Sequence, residues 1–380
     1  MLRLLLRDNC GRNAEILRLL EKFVRVESPS LDKSAVDRLG DLVAAEWKKR
    51  GAEVARLRQK ERGDHLLIRL PGSGGRRAGQ VLLLGHLDTV YDLGALAPMR
   101  FRVSRGRAWG PGIFDMKGGL ALALAAVDSL RRCGITPRRE LACLWTTDEE
   151  IGSETSRHAI EQQALRSDAV LVLEPAGEPR GALKTARKGV GEIEIRVTGR
   201  AAHSGLKAEE GINAVHELAL QIARVSRWDQ PKRGTGVHVT VAHGGTRTNV
   251  IAAEAHALVD LRATDATEMR RIERQFRALR PILPGARIEV RGGFSRQPME
   301  RKMSAALFHH AQALALGAGW KLDEIAVGGG SDGNFTAALG VPTLDGLGAV
   351  GGGAHSTNEH IVISELARRA ALIGALIATL

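Results

Sequence analysis

The segment Val81–Val90, VLLLGHLDTV, constrains the fold more than any other part of the sequence. Its apolar run Val81–Leu84 is typical of a strand covered on both faces, and Gly85 ends the run. His86 and Asp88 follow two residues apart, so both side chains point to one side of an extended chain. That side is the carboxyl end of a central strand, where open α/β sheets bind ligands. Taken alone, the pair also fits a strand exit with a hydrogen-bonded histidine and a turn-capping aspartate.

Alternating strands and helices predict the fold class. The runs HLLIRL, ELACLWTT and AVLVLEP have the apolar character of buried strands. Segments with helical spacing of apolar residues lie between and before these strands, at Glu15–Val26, Ser34–Arg50 and Gly118–Cys133. Strand and helix in alternation predict an α/β fold whose sheet is mostly parallel and carries helices on both faces.

The pattern changes after Pro179, where GEIEIRVTG, GVHVTVAHG and AHALVDLRAT alternate as half-exposed antiparallel strands do. With helices over Gly211–Val225 and Thr267–Leu279 and a last strand ARIEVRG, the order is β-α-β-β-α-β, that of a ferredoxin-like α+β unit. The α/β pattern resumes from Ser304 and ends in a closing helix. The predicted larger domain comprises residues 1–187 and 295–380, and the predicted inserted domain comprises residues 188–294.

The charge and composition bear on the class of partner. Lys and Arg outnumber Asp and Glu by 55 to 43, giving a net charge of +12 and a pI near 10.1. Such a balance suits nucleic acid or an anionic substrate. The basic residues are scattered, however, and aromatic residues make up 3% with a single tyrosine, so stacking platforms are not expected. We predict no nucleic-acid partner and leave an acidic small molecule open.

The cysteines and apolar runs predict the compartment. Cys10, Cys133 and Cys143 have no ligand-like spacing, which favours a reducing compartment and excludes a cysteine zinc cage. The apolar stretch before Arg7 is too short for a signal-peptide core, and no later run has the length of a membrane span. We expect a cytoplasmic protein without a membrane partner.

Four further segments place carboxylates or an imidazole just after apolar strands or in glycine-rich loops. Each group has a plain structural explanation: a helix cap, an acidic helix N-terminus, a surface ion pair or a loop histidine. With the opening segment they make five positions of metal-ligand type at strand ends of one domain, which is improbable as coincidence. The groups are Asp115, Glu149 with Glu150, Glu174 and His355.

This set of side chains fits zinc. Imidazole and carboxylate without thiolate form catalytic rather than structural sites, although they also accept cobalt or manganese. Two histidines and three carboxylates suit two metal ions with one bridging aspartate, and paired ions polarise a carbonyl and generate hydroxide. Glu149 and Glu150 are neighbours at a predicted helix start, so their side chains diverge by about 100°. One can bind metal while the other handles protons.

The segments GHLDTV, GPGIFDMKGG, TTDEEIGS, LEP and AHS resemble the signature segments of the M20 family of dizinc metallopeptidases, and within it the glutamate carboxypeptidase group. The resemblance runs from about residue 15 to the C-terminus and implies a zinc-exopeptidase-like fold. It implies two zinc ions per subunit. The implied ligands are His86 and Glu174 for one ion, Glu150 and His355 for the other, and Asp115 as the bridge.

The resemblance also implies roles for groups that do not bind metal. Asp88 would orient His86 and fix its tautomer. Glu149 would take a proton from the bridging water and pass it to the leaving nitrogen. The peptide bond Asp115–Met116 would be cis.

The inserted domain resembles the lid and dimerisation domain of the family. The resemblance implies a homodimer in which His203 reaches the partner's site and stabilises the oxyanion. A strand cap for His203, a turn role for Asn249 and surface charge for the arginines remain alternative explanations. The implied substrate-binding residues are Asn249, Arg262, Arg296 and Gly329.

We therefore predict a zinc hydrolase that cleaves a small peptide or amide and releases a C-terminal, glutamate-like amino acid. An N-acyl-amino-acid amidohydrolase with the same dimetal site is the alternative enzyme. A catalytically silent binding protein with a remodelled site is the alternative of another class. The complete ligand set and Glu149 argue against it.

Overall fold

The computed structural model describes residues 1–75, 78–178 and 181–380, and it divides into two compact units. The larger unit contains Met1–Ala186, Arg301–Ala326 and Ser331–Leu380, and the smaller contains Arg187–Glu300 and Val327–Gly330. Pro179, where the sequence pattern changes, lies outside the described residues.

The helices and strands are numbered in chain order. The helices are α1 (Leu2–Asn9), α2 (Asn13–Val24), α3 (Lys33–Lys49), α4 (Gly118–Arg132), α5 (Arg157–Leu165), α6 (Ala214–Val225), α7 (Ala266–Arg277), α8 (Arg301–Gly317), α9 (Gly333–Ala338) and α10 (Leu366–Thr379). The strands are β1 (Glu53–Leu57), β2 (His65–Leu70), β3 (Gln80–His86), β4 (Arg102–Ser104), β5 (Arg107–Trp109), β6 (Glu140–Thr146), β7 (Ala169–Val172), β8 (Leu183–Arg187), β9 (Gly189–Thr198), β10 (Gly236–Gly244), β11 (Glu254–Ala263), β12 (Arg287–Arg296), β13 (Glu324–Val327), β14 (Thr343–Leu344), β15 (Gly351–Gly352) and β16 (His360–Val362).

A six-stranded sheet forms the centre of the larger unit, in the order β1-β2-β6-β3-β7-β14. The strands β6, β3, β7 and β14 run parallel, and β2 pairs antiparallel with both β1 and β6. Every residue of β3 is buried. Leu83 packs in one core cluster, and its neighbours Leu82 and Leu84 pack in another that includes Ile160 of α5 and Phe335 of α9. The predicted mostly parallel sheet with covered faces is confirmed.

Helix α4 approaches the sheet closely where β7 ends. A Cβ atom at Gly119 would lie 2.3 Å from the carbonyl oxygen of Leu173, far inside van der Waals contact, so the position requires glycine. Leu173 directly precedes Glu174, and Asp115 lies just before the first turn of α4. The close packing therefore brings two of the predicted ligands to one edge of the sheet.

The N-terminal residues form a helix that the sequence analysis did not predict. Leu2 and Leu5 of α1 are buried in the same cluster as Ile373 of α10, so packing against α10 stabilises a helix that is too short to be stable alone. Among residues 1–75, 78–178 and 181–380, no helix is long and apolar enough to cross a membrane.

The smaller unit is a four-stranded antiparallel sheet in the order β10-β11-β9-β12. Helices α6 and α7 contribute Leu218 and Phe276 to a core with Ile195 and Val259 of the sheet. This is the predicted β-α-β-β-α-β order with ferredoxin-like pairing. The inserted α+β unit of the predicted fold class is confirmed.

The bounds of the smaller unit differ from the predicted residues 188–294. Val327–Gly330 belongs to it because Arg187 holds this segment: its Nη1 donates to the carbonyls of Gly329 (3.1 Å) and Gly330 (3.0 Å). The backbone N–H of Lys188 also donates to the carbonyl of Val327 at 3.1 Å. These contacts join segments far apart in sequence, which periodicity does not reveal.

Arg369 of α10 is buried in the larger unit and forms hydrogen bonds with its backbone. It is 2% exposed, and its guanidinium donates to the carbonyls of Gly348 (2.9 Å), Gly181 (3.0 Å) and Gly346. Burial lowers the pKa of Arg369 to about 10, so the group is still protonated at neutral pH.

We predict that Arg369→Met lowers the free energy of unfolding by about 3 kcal/mol. The substitution keeps an apolar stem but leaves three buried carbonyls without their charged donor. Urea denaturation followed by circular dichroism measures the change. The matched control is Arg368→Met, which removes only an exposed ion pair with Glu365 and should cost about 0–1 kcal/mol. An equal loss of unfolding free energy in both variants would contradict the proposed contribution of Arg369 to stability.

Candidate active site

The parallel strands of the larger unit bring predicted ligands to one edge. His86 is the last residue of β3, the pair Glu149 and Glu150 follows β6, and Glu174 lies two residues beyond β7. Asp115 joins them from the turn before α4. The predicted grouping follows from topology, because neighbouring parallel strands end at the same edge.

Two histidines face one aspartate. Nε2 of His86 lies 3.3 Å from Oδ1 of Asp115 and 3.4 Å from Oε1 of Glu174. Nε2 of His355 lies 3.4 Å from Oδ2 of Asp115 and 3.2 Å from Oε2 of Glu150. The two oxygens of Asp115 thus face different histidines, each of which has a second carboxylate beside it.

These separations fit bound metal ions. For zinc–ligand bonds of about 2.0–2.1 Å, a tetrahedron separates its ligand atoms by about 3.3–3.4 Å. Three buried atoms at the site have no hydrogen-bond partner within the described chain: His86 Nε2, Asp115 Oδ1 and Glu150 Oε1. Ligand atoms of His86, Asp115 and Glu150 lie within 4.8 Å of one another, as do those of His86, Glu149 and Glu174. The residues form a group suited to hold metal.

The electrostatics favour cations. Burial alone would lower the pKa of His86, but the carboxylates of Asp115, Asp88 and Glu174 raise it well above its usual range. The carboxylates of Asp115 and Glu150 beside the imidazole raise the pKa of His355 to about 10. Burial would raise the pKa of Asp115, yet both histidines hold it below its ordinary value. Positive charge is therefore strongly stabilised between these carboxylates.

Asp88 is fully buried and holds two parts of the site together. It accepts from Ser30 Oγ at 2.7 Å and from the backbone N–H groups of Glu149 and Glu150, both at 3.3 Å. Its Oδ1 lies 3.4 Å from His86 Nδ1, but the nearer partner of Nδ1 is the carbonyl oxygen of Asp88 itself, at 3.0 Å. Both partners are acceptors, so Nδ1 carries the proton and Nε2 is available to a metal.

Glu149 and Glu150 do not begin an α-helix, contrary to the prediction. They lie in the single 3₁₀ turn Glu149–Ile151, and α5 begins only at Arg157. Gly152 ends the turn with a φ of 105°. This left-handed conformation favours glycine over residues that have a side chain. With three residues per 3₁₀ turn, the two side chains still diverge, by about 120°.

The turn that carries Asp115 has one feature that the resemblance implies, a cis peptide bond, and one that the sequence did not reveal, its contact with Glu359. The peptide bond Asp115–Met116 is cis, as the resemblance implies. The buried carboxylate of Glu359 accepts backbone N–H groups of Gly112 (3.0 Å), Phe114 (2.8 Å) and Asp115 (2.9 Å). Its only sequence signal is an acidic residue four positions after His355.

His203 and Asn249 lie together in the smaller unit. His203 forms a bridge with Val250, and the N–H of Ser204 donates to the carbonyl of Asn249 at 3.0 Å. The N–H of Gly205 donates to His203 Nδ1 at 3.1 Å. In the neutral imidazole the proton is therefore on Nε2. This side chain is exposed, so it presents a donor to solvent.

The other predicted substrate-binding residues occupy two places in the smaller unit. Arg262 and Arg296 both pair with Val190, on opposite sides of β9. Arg262 is held by Asp260 through two hydrogen bonds of 2.9 Å. The carbonyl of Gly329 accepts a hydrogen bond from Arg187 Nη1 at 3.1 Å.

Comparisons with known proteins show the family to which the chain belongs. The model of "Peptidase family M20/M25/M40" matches residues 82–379. The chain therefore belongs to this family of dimetal peptidases, and it is a hydrolase of the metallopeptidase type.

Individual relatives match over most of their length. Carboxypeptidase G2 from Pseudomonas sp. (strain RS-16) is 32% identical over 369 residues, covering 93% of this chain and 86% of the relative. Succinyl-diaminopimelate desuccinylase from Stenotrophomonas maltophilia is 26% identical over 341 residues, covering 86% and 89%. The crystal structure of aminopeptidase PepT from Bacillus cereus shares the fold, with a TM-score of 0.79, 20% identity and coverage of 96% and 98%.

Because the two oxygens of Asp115 lie beside different histidines, substitution of this residue should affect the content of both metal ions. We predict that Asp115→Ala lowers bound zinc from about two equivalents to near none, because both sites lose a ligand, whereas Glu174→Ala keeps about one. Elemental analysis after gel filtration measures both. Glu154→Ala is the control, since this exposed glutamate lies close in sequence but outside the cluster. A full metal complement in Asp115→Ala would contradict the shared position.

Proposed function

We propose that this chain is a dizinc carboxypeptidase that hydrolyses an amide bond and releases an amino acid with a free carboxylate, glutamate-like in character. The observation that carries the proposal is Asp115, whose two oxygens lie 3.3 Å and 3.4 Å from two histidines. The similarity to carboxypeptidase G2 over most of the chain supports carboxypeptidase activity.

The proposed ligand roles follow the geometry around Asp115. His86 and Glu174 would hold one zinc ion, and Glu150 and His355 the other, with Asp115 between them. When bound, the two ions supply polarisation of the scissile carbonyl and activation of water. Zinc is the proposed metal, and the same donors also accept cobalt or manganese.

Glu149 is the proposed general base. Its carboxylate lies within 4.8 Å of ligand atoms of His86 and Glu174, and Asp88 anchors its backbone N–H. From this place it takes a proton from the attacking water and delivers it to the leaving nitrogen. Asp88 positions both the base and the imidazole of His86, so one buried carboxylate aligns proton transfer with the metal site.

The smaller unit is proposed to bind the substrate and to form a homodimer. The exposed Nε2–H of His203 suits stabilisation of an oxyanion in the partner's site, and Asn249 lies beside it. Arg262 and Arg296 supply positive charge for a substrate carboxylate, and the N–H of Gly329 suits a close backbone contact. The net charge of +12 fits attraction of an acidic substrate.

Deacylation of an N-acyl amino acid is the second candidate function. The similarity to succinyl-diaminopimelate desuccinylase, 26% identical over 341 residues, favours it specifically. Both reactions cleave an amide beside a free carboxylate, so the same residues serve either. We propose the cytoplasm as the compartment, because the three cysteines are free thiols and suit a reducing environment.

The proposal is tested with zinc-loaded protein on peptides ending in glutamate, peptides ending in other residues, N-acyl amino acids and N-succinyl amines. We predict that Glu149→Gln keeps its zinc and loses kcat by about 10²–10⁴-fold on the preferred substrate. Stopped assays of product release measure kcat, and elemental analysis measures zinc.

Glu154→Gln is the matched control for this substitution and should behave as wild type. Wild-type kcat in Glu149→Gln would show that the base lies elsewhere. Failure of the wild-type protein to hydrolyse any member of the panel would reject both candidate functions.

The proposed dimer generates a further prediction. His203→Ala should lower kcat by about 10²–10³-fold at unchanged zinc content, because one donor to the oxyanion is lost. A heterodimer of Glu149→Ala and His203→Ala chains, co-expressed with different tags, should regain activity. One of its two sites carries both defects and the other carries neither.

Sedimentation measures the assembly of the purified heterodimer before the assay. A monomeric protein would contradict composite sites at once. An inactive heterodimer of verified composition would mean that His203 acts in its own subunit or not at all.

A further inference from the structure

Glu359 is the point at which three ligand-bearing segments meet. Its Oε1 accepts from the backbone N–H groups of Phe114 (2.8 Å) and Asp115 (2.9 Å). Its Oε2 accepts from the N–H of Gly112 (3.0 Å) and from the hydroxyl of Tyr91 (2.6 Å). We call these five residues the Glu359 cluster.

Tyr91 connects the cluster to both histidine segments. It lies five residues after His86, in the loop that follows β3. Its hydroxyl is also 2.9 Å from the carbonyl oxygen of Ser356, the residue next to His355. The single phenolic proton is shared between two acceptors, with the shorter contact to Glu359.

The hydrogen bonds to Glu359 are of the charge-assisted kind, which is strong. The side chain is 0% exposed, and bonds from N–H and O–H donors to a buried carboxylate are shorter and stronger than those between neutral groups. A buried carboxylate is costly unless its lone pairs are satisfied, and here four donors converge on it. The backbone around Asp115 is therefore fixed by one side chain from a distant segment.

The position of Asp115 decides whether both metal sites form. Its two oxygens must reach two different histidines, so a small rotation of its backbone would favour one site at the expense of the other. Glu359 contacts the N–H of Asp115 itself and of its neighbour Phe114. Its carboxylate therefore acts on Asp115 through the backbone.

We propose that Glu359 and Tyr91 are positioning residues that hold Asp115 and the His355 loop at the spacing a two-metal site requires. This inference rests on the dimetal site of the proposed function. The ion between Glu150 and His355 depends most on Tyr91, because His355 is half-exposed and its loop is tied to Tyr91 through Ser356. Substitutions in the Glu359 cluster should weaken zinc binding in proteins that remain folded.

The test compares Tyr91→Phe and Glu359→Gln with wild type. Tyr91→Phe removes one oxygen from a partly exposed ring, so folding is retained. Glu359→Gln keeps the shape but replaces one acceptor oxygen with a donor, so at least one backbone N–H of the cluster loses its acceptor in either orientation of the amide. Asn358→Ala is the control, because this exposed neighbour is outside the cluster and the metal site.

Zinc affinity is measured by competition with a chromogenic chelator, and stepwise filling by cobalt absorption spectra. Tyr91→Phe should weaken binding of one ion, the one between Glu150 and His355, by about 10–100-fold, and Glu359→Gln should weaken both ions. Asn358→Ala should match wild type. Thermal unfolding of the metal-free proteins gives a separate readout, and Tyr91→Phe should differ little from wild type there.

Wild-type affinity for both ions in Tyr91→Phe would overturn the inference, even if Glu359→Gln fails to fold. Lower stability of the metal-free variants with unchanged zinc affinity would also overturn it, since that is a purely structural role. A wild-type protein that binds two zinc ions yet hydrolyses nothing would reject the proposed function alone, because the affinity measurements still decide this inference.

Discussion

The placement of the Asp115 carboxylate between two imidazoles is the constraint on which the rest of the site depends. Five acidic side chains converge near His86 and His355, and like charges at this distance repel strongly in a buried environment. A fold that kept such a cluster without a cation would lose stability through repulsion and desolvation. The arrangement is consistent only if positive charge, from protons or metal, is part of the folded state.

Rigidity is what lets the fold hold these charges together. The fully buried β3 delivers His86 from the centre of the sheet, and Gly119 lets α4 approach the end of β7 without a side chain between them. Asp88 and Glu359 then use backbone N–H groups, not lysine or arginine, to fix the turns that carry Glu149 and Asp115. Backbone donors have little freedom to rearrange, so the spacing of the site is set by the main chain.

The sequence predicted what depends on local pattern. Apolar strands followed by carboxylates or imidazoles identify the cluster, because the ends of neighbouring parallel strands must meet at one edge. Contacts between remote loops leave no such pattern: Glu359 binds the N–H of Asp115 across 244 positions, and nothing near Glu359 indicates that partner. Helix α1 and the place of Val327–Gly330 in the smaller unit were not predicted for the same reason, because tertiary packing defines both. The sequence around Glu149 predicts an α-helix where the structure has a 3₁₀ turn, because an acidic first turn is common to both.

Substrate preference must come from groups other than the metal ligands, since the proposed centre suits any amide with an adjacent carboxylate. In the proposed function, Arg262 is one residue through which the smaller unit would discriminate between substrates. Its guanidinium is already paired with Asp260 by two hydrogen bonds, so a substrate carboxylate must share or displace that partner. Because a bidentate arginine–carboxylate pair is geometrically specific, only a ligand that offers a carboxylate in the right orientation gains from the exchange. On this proposal neutral ligands would be disfavoured, because they offer no carboxylate for the exchange with Asp260.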